Sequence, residues 1–128
     1  MLAGRAHSRA ELRLKLRRRG HDAEEIESAL ARLEELGYLD EAAFARAIVA
    51  RRAGQLGRRA IVAELAAKGV ARDLIASAVA GIDDEEEVAA VARLLSRRRE
   101  SEAPEKTLAR LARRGFSRAA IAKAWRVR

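Results

Sequence analysis

Arginine is the residue with the clearest binding chemistry in this 128-residue sequence. Its guanidinium group is always charged and can form two parallel hydrogen bonds to one phosphate or carboxylate. The arginines fall in clusters, and the formal net charge is +8, which favours an anionic partner. The candidate binding residues are Arg13, Arg17, Arg18, Arg19, Arg51, Arg52, Arg58, Arg59, Arg110, Arg113, Arg114 and Arg118.

Residues for catalysis or metal binding are scarce. The sequence has no cysteine and two histidines, and it has neither a catalytic triad pattern nor a glycine-rich phosphate loop. The acidic clusters Glu24 to Glu27 and Asp83 to Glu87 stand where helices are expected to begin, and there the helix dipole accounts for them. The sequence therefore predicts a protein without enzymatic activity, metal or cofactor.

The N-terminal residues lack a signal-peptide pattern, and no run of eighteen apolar residues occurs. We therefore expect a soluble, monomeric protein of the bacterial cytoplasm that does not bind membranes.

Three glycines mark an internal repeat. Gly20, Gly69 and Gly115 each have leucine four residues earlier and isoleucine six residues later. A glycine at this position can adopt the left-handed conformation that ends a helix, and the next residue can pack back onto that leucine. In the third repeat this next residue is Phe116. Each glycine therefore predicts a tight corner between two helices.

The segment GYLDEAAF, residues 37–44, contains two of the four aromatic residues of the chain. Gly37 suits a helix end, Tyr38 can fold back onto Leu33, Asp40 can cap the next helix, and Phe44 follows in its first turn. We interpret the segment as a helix junction. The alternative is that Tyr38 contacts a partner.

The pattern of caps and apolar positions predicts an all-α fold with helices at about 8–19, 22–36, 40–53, 57–68, 71–80, 84–99, 104–114 and 117–126. Capping boxes are predicted for Ser8 with Glu11, Asp22 with Glu25 and Asp84 with Glu87. The polar stretch RRRESEA ahead of Pro104 is expected to be a flexible joint. The helices form one elongated, solenoid-like array of tandem three-helix repeats, at approximately 1–39, 40–83 and 84–128.

In a solenoid, equivalent positions of successive repeats align. The arginine clusters would then form an extended basic strip for a long anionic ligand. The alternative is that these arginines only keep the protein soluble and complement helix dipoles.

A second functional class is sequence-specific DNA binding. The segment RAIVAELAAKGVARDLIASAV has the helix, glycine turn and helix spacing of a helix-turn-helix motif. Its second helix offers only Arg72, Asp73 and Ser77 for reading bases, which is a poor set for that role.

Four segments of the sequence resemble successive blocks of the RecX family of bacterial recombinase regulators. They are HSRAELRLKLRRRG, LEELGYLDEAAFARAIVARR, RRAIVAELAAKGV and RRGFSRAAIAKAW. The resemblance covers nearly the whole chain, and GYLDEAAF and RGFS in this order are its most specific parts. One departure is that only MLAGRAH precedes the first block, so the first repeat is expected to lack its first helix.

The resemblance implies an elongated, all-helical protein that binds the RecA recombinase, chiefly as a filament on DNA, and usually restrains it. It also implies non-specific affinity for DNA, with single-stranded DNA expected. The basic strip would then contact the filament. Inhibition of RecA would affect recombination, DNA repair and the SOS response.

Overall fold

A computed structural model describes residues 8–37 and 39–126, and these residues form eight α-helices. The expectation of an all-α fold is confirmed, and the helices begin and end within a few residues of the predicted bounds. None of the described helices is long and apolar enough to cross a membrane. The helices are α1 Arg9–Arg18, α2 Ala23–Glu35, α3 Glu41–Arg52, α4 Arg58–Ala67, α5 Arg72–Val79, α6 Asp84–Ser96, α7 Pro104–Arg113 and α8 Arg118–Arg126.

The three glycine corners close with the same pair of backbone hydrogen bonds. At the first corner, the His21 N–H donates to the Leu16 carbonyl at 3.2 Å and the Gly20 N–H donates to the Arg17 carbonyl at 3.0 Å. The same bonds recur around Gly69 and Gly115, as in a Schellman cap. All three glycines have φ between 83° and 91°, which disfavours any other residue there.

The junction at residues 37–44 also ends one helix and starts another. Gly37 has a φ of 78°, and the Asp40 side chain accepts a hydrogen bond from the Ala43 N–H at 3.0 Å. Phe44 is buried. Tyr38 lies outside the described residues, so its predicted packing on Leu33 and its alternative role as a contact remain predictions.

One of the three predicted capping boxes is complete. Asp22 and Glu25 form both reciprocal hydrogen bonds at the start of α2. At the start of α1, Ser8 caps the helix by accepting from the Glu11 N–H at 3.0 Å, which is one half of the predicted box. The box predicted for Asp84 with Glu87 is wrong. Asp83 caps α6 by accepting from the Glu86 N–H at 2.8 Å, because the helix begins one residue earlier than the pattern suggested.

Three hydrophobic clusters form the core, and each comes from one stretch of the chain. We therefore propose to divide the chain near residues 39/40 and 83/84 into repeats 1, 2 and 3. The buried members are Leu12, Ile26, Leu30 and Leu39 in repeat 1, Phe44, Ala45, Ile48, Ile61, Leu65, Val70, Ile75, Val79 and Ile82 in repeat 2, and Ala90, Val91, Leu95, Leu111, Phe116, Ala120, Ile121 and Ala124 in repeat 3.

Repeat 1 contributes two described helices, α1 and α2. The predicted absence of its first helix concerns residues 1–7, which lie outside the described residues.

Neighbouring repeats meet through a joint at a glycine corner. At the joint between repeats 2 and 3, Gly57 lies against the corner backbone and its N–H donates to the Arg114 carbonyl at 2.8 Å. Methyl groups built on Gly57 or Gly115 would overlap the facing backbone, at 2.3 Å and 2.4 Å respectively. These approaches require glycine at both positions.

The joint between repeats 1 and 2 has the same plan. The Ser8 hydroxyl lies 3.4 Å from the Lys68 carbonyl, to which it donates. A methyl group on Gly69 would overlap the Ala10 side chain. In both joints, the start of a helix, α1 or α4, therefore contacts the glycine corner of the next repeat.

A carboxylate from the next repeat completes each joint. Glu87 of α6 is buried and accepts a hydrogen bond from the Arg58 N–H at 2.6 Å. Glu41 of α3 accepts from the Arg9 N–H in the same way. Both N–H groups belong to the first residue of a helix, where no intrahelical acceptor exists. In α7 the first residue is Pro104, which has no N–H to satisfy.

Replacing Glu87 with alanine is expected to lower the free energy of unfolding by about 1.5–3 kcal/mol, because the buried Arg58 N–H loses a charged acceptor. Glu87→Gln keeps an oxygen acceptor and should lose less. Urea denaturation measures both changes. Glu85→Ala, an exposed change in the same helical turn, is the control, and an equal loss in Glu85→Ala and Glu87→Ala would contradict this role.

The joints place α7, α4 and α1 head to tail. The C-terminal end of α7 meets the start of α4, and the C-terminal end of α4 meets the start of α1. Each of α1 and α4 has ten residues and is therefore about 15 Å long. The glycine corners are thus spaced along the array by roughly one helix length.

Candidate anion-binding surface

Six of the predicted binding arginines use their side chains within the protein. Arg13 pairs with Glu27, Arg52 with Glu64, Arg58 with Asp84 and Arg110 with Glu102. Arg59 donates to the Ala112 carbonyl at 3.1 Å and Arg114 to the Gln55 carbonyl at 3.2 Å. These last two hydrogen bonds cross the joint between repeats 2 and 3.

The other six predicted arginines are exposed, and their side chains make no hydrogen bond or ion pair with another described residue. They are Arg17, Arg18, Arg19, Arg51, Arg113 and Arg118. A guanidinium group without an internal partner can bind an external anion and does not first have to break an existing bond. These six are therefore more readily available to bind a ligand than the six paired arginines.

The arginines are not spread equally over three corners. Arg17, Arg18 and Arg19 form the end of α1 at the Gly20 corner. Arg51, Arg52, Arg58 and Arg59 lie around the turn between α3 and α4, and this turn contacts the Gly115 corner, where Arg113 and Arg114 also lie. The Gly69 corner has Lys68 as its C-cap residue. The structure thus gives one basic cluster at the Gly20 corner and a larger one at the Gly115 corner.

A cleft of about 630 Å³ lies at the larger cluster and is rich in arginine. Its lining is Gln55, Leu94, Arg97, Arg98, Arg99, Glu102, Arg110, Leu111 and Arg114. Five positive groups and one negative group therefore face a single cavity. An anion in this cleft would reduce the repulsion between the guanidinium groups.

Glu102 organises one wall of the cleft. Its carboxylate accepts a hydrogen bond from the Thr107 hydroxyl at 2.6 Å and is paired with Arg110. The Thr107 hydrogen bond, opposed by partial burial and assisted by Arg110 and Arg98, lowers the pKa of Glu102. Glu102 therefore stays ionised at neutral pH, and its stabilising contribution is lost as the pH falls through the lowered pKa.

Arg98 is tied to the same wall. Its Nε donates to the Thr107 hydroxyl at 2.8 Å and its Nη2 donates to the Glu102 carbonyl at 2.7 Å. These side-chain bonds connect the turn to α7, and the expectation that RRRESEA is a flexible joint remains a prediction. Arg97 and Arg99 on either side are exposed, and their guanidinium groups have no bonded partner among the described residues.

Arg97, Arg98 and Arg99 are not among the candidate residues predicted from the sequence. The spacing between Gly69 and Gly115 relates Arg97 and Arg98 to Arg51 and Arg52 at the end of α3. The repeat pattern therefore contained the signal, but the neighbouring polar residues favoured the interpretation as a loop.

Arg118 lies apart from the cleft. It is the first residue of α8 and lines an apolar groove between α7 and α8. The structure thus joins Arg110 and Arg114 with the cleft, places Arg58 and Arg59 beside it at the joint, and separates Arg118 and the Gly20 cluster from it.

The fold and this surface define a class of protein: a helical repeat protein with an arginine-rich cleft at a joint between repeats. Models of the first and second three-helix domains of RecX match residues 1–33 and 40–79. The regulatory protein RecX of Thermus thermophilus is 40% identical over 127 residues, covering 99% of this chain and 86% of that protein. The chain belongs to the RecX family.

Further relatives agree with this assignment. The regulatory protein RecX of Chlorobaculum tepidum is 47% identical over 89 residues, covering 67% of this chain and 55% of that protein. The crystal structure of RecX from Lactobacillus salivarius matches with a TM-score of 0.80 at 21% identity, covering 98% of this chain and 87% of that one. At this identity the match supports the fold alone.

Proposed function

We propose that this protein regulates the RecA recombinase by binding RecA filaments on DNA, most simply as an inhibitor. Membership of a family of regulatory proteins supports a regulatory role, and the resemblance to recombinase regulators supports RecA as the partner. The observation that carries the proposal is the set of exposed arginines whose side chains have no partner among the described residues, at two corners of an elongated array. Such a set fits a ligand whose negative charges are also repeated along its length.

The spacing of the two basic clusters favours an extended ligand over a small anion. The lengths of α1 and α4 separate the Gly20 corner from the Gly115 corner by up to roughly 30 Å. A ligand that contacts both clusters must span this distance. Acidic residues on successive RecA subunits, the DNA backbone, or both would do so.

Regulation by this route requires no catalytic group. A protein that bridges neighbouring subunits of a filament changes how readily subunits add or leave. It also restricts access of DNA to the groove of the filament. We propose that this is how the protein affects recombination, DNA repair and the SOS response in the bacterial cytoplasm. It acts without enzymatic activity and as a monomer.

Cosedimentation with RecA filaments preassembled on single-stranded DNA tests the proposal. The protein should pellet with the filaments at salt concentrations where it no longer binds the same DNA without RecA, since non-specific DNA binding weakens steeply with salt. Equal binding to bare DNA and to filaments across the salt range would contradict a RecA partner. Tight binding to one DNA sequence without RecA would instead support the helix-turn-helix alternative.

A further inference from the structure

An apolar groove runs between α7 and α8 on repeat 3, away from the arginine-rich cleft. It has a volume of about 810 Å³. Leu108, Ala112, Ile121 and Trp125 supply its apolar surface, and Leu108 is 40% exposed. A leucine with this exposure, beside an indole ring and in a concave surface, is typical of a binding site for an apolar side chain.

The equivalent position of repeat 2 is also partly exposed. Val62 of α4 corresponds to Leu108 of α7, is 36% exposed, and lines a depression together with Gly115 and Ser117 of the next repeat's corner. The groove at Leu108 adds Ile121 and Trp125 to its lining, and an apolar concave surface of this kind is suited to a partner.

One wall of the groove is held in position. The Arg98 guanidinium lies 5.2 Å from the centre of the Trp125 ring, which is the distance of a cation–π interaction. Arg98 is itself fixed by Thr107 and Glu102. The indole ring is therefore positioned before any ligand binds, which lowers the entropy lost on binding.

The charged residues that line the groove lie at its two ends. Arg118 and Arg126 both line it, and they are the first and last residues of α8. Eight residues of helix separate them by about 12 Å. Both are exposed, and their guanidinium groups have no bonded partner among residues 8–37 and 39–126. An acidic group near Arg118 would also interact favourably with the positive end of the α8 dipole.

We propose that this groove binds a short amphipathic helix of a partner protein. The helix would place apolar residues at i, i+3 and i+7 on the groove and carry one acidic residue near each end of that stripe, about seven or eight residues apart. The apolar middle with a cation at each end matches this arrangement. Nucleic acid fits less well, because its phosphates repeat along the strand and need positive charge throughout. The proposal is independent of RecA regulation.

Trp125 provides the test, because it is the only tryptophan of the chain and lines the groove. The probe is a designed 16-residue helical peptide with leucines at i, i+3 and i+7 and two glutamates seven residues apart. Its matched control replaces both glutamates with lysine. The glutamate peptide is expected to shift the Trp125 emission and to bind at least about tenfold more tightly than the lysine peptide.

Three variants distinguish binding in the groove from nonspecific hydrophobic binding. Leu108→Glu is expected to weaken binding of the glutamate peptide at least about tenfold. Leu14→Glu, at a leucine of similar exposure on α1, should leave the binding of this peptide unchanged. The double variant R118E/R126E should prefer the lysine peptide. Circular dichroism checks that each variant remains helical.

Several results would overturn the proposal. They are an absence of any emission shift, equal binding of the two peptides, and failure of R118E/R126E to reverse the preference. A single-stranded oligonucleotide that displaces the peptide and shifts the emission more strongly would assign the groove to nucleic acid. Self-association in sedimentation that is lost in Leu108→Glu would assign it to a second copy of this chain.

Discussion

Gly57→Ala is expected to lower the free energy of unfolding by about 2–4 kcal/mol, although it adds one methyl group. Gly57 has a φ of −78°, which alanine adopts without strain. The cost arises because the new Cβ would lie 2.3 Å from the Gly115 carbonyl group and 2.4 Å from the Phe116 nitrogen. Backbone atoms cannot rotate away as a flexible side chain can. The joint must therefore open, which weakens the hydrogen bond from the Gly57 N–H to the Arg114 carbonyl.

Urea denaturation of Gly57→Ala and Gly81→Ala measures this effect. An added Cβ at Gly81 meets nothing within 4 Å, so Gly81→Ala should change stability by less than about 1 kcal/mol. A second comparison uses Gly20→Ala and Gly115→Ala. Both glycines have φ near 90°, but an added Cβ meets nothing within 4 Å at Gly20 and lies 2.4 Å from the Ala60 nitrogen at Gly115. Equal losses within each pair would show that the joints contribute no packing constraint.

Replacing Arg17, Arg18 and Arg19 together with alanine is expected to weaken binding to RecA filaments about tenfold or more. Each exposed charge contributes about 0.3–1 kcal/mol to such an interface, and the three have no internal partner to compensate for their loss. If they contact phosphates, the slope of log affinity against log salt should fall by about 2. Equilibrium binding to labelled filaments at several salt concentrations measures both quantities.

A charge-matched variant serves as the control. Replacing Arg32, Arg46 and Lys106 with alanine removes the same net charge from exposed positions outside both basic clusters. It should weaken filament binding less than threefold. Circular dichroism of both variants checks helicity. Equal weakening would mean that net charge alone, and not the Gly20 corner, governs binding.

Local features of the fold could be predicted from the sequence because they depend on neighbouring residues. The glycines at 20, 69 and 115 require a left-handed conformation, and the leucine four residues before each one accepts the closing hydrogen bond. The start of α6 was misplaced because Asp83 and Asp84 are both good caps, and the acidic run gave no means to choose between them.

The contacts between repeats could not be predicted in the same way. Glu87 was interpreted as a capping partner within its own helix, yet it binds the first N–H of α4, 29 residues earlier in the chain. The arginines present the same problem, because sequence alone does not show that Arg59 and Arg114 bond across a joint while the side chains of Arg17 and Arg51 bond to no other described residue. Those outcomes depend on which turns meet in three dimensions.

The most direct test of the proposed function is the ATPase rate of RecA filaments preassembled on single-stranded DNA and titrated with this protein. The rate is expected to fall with less than one protein molecule per RecA subunit, and the variant lacking Arg17, Arg18 and Arg19 should require about tenfold more protein for the same fall. An unchanged ATPase rate at a protein concentration that saturates the filament would contradict inhibition by filament binding.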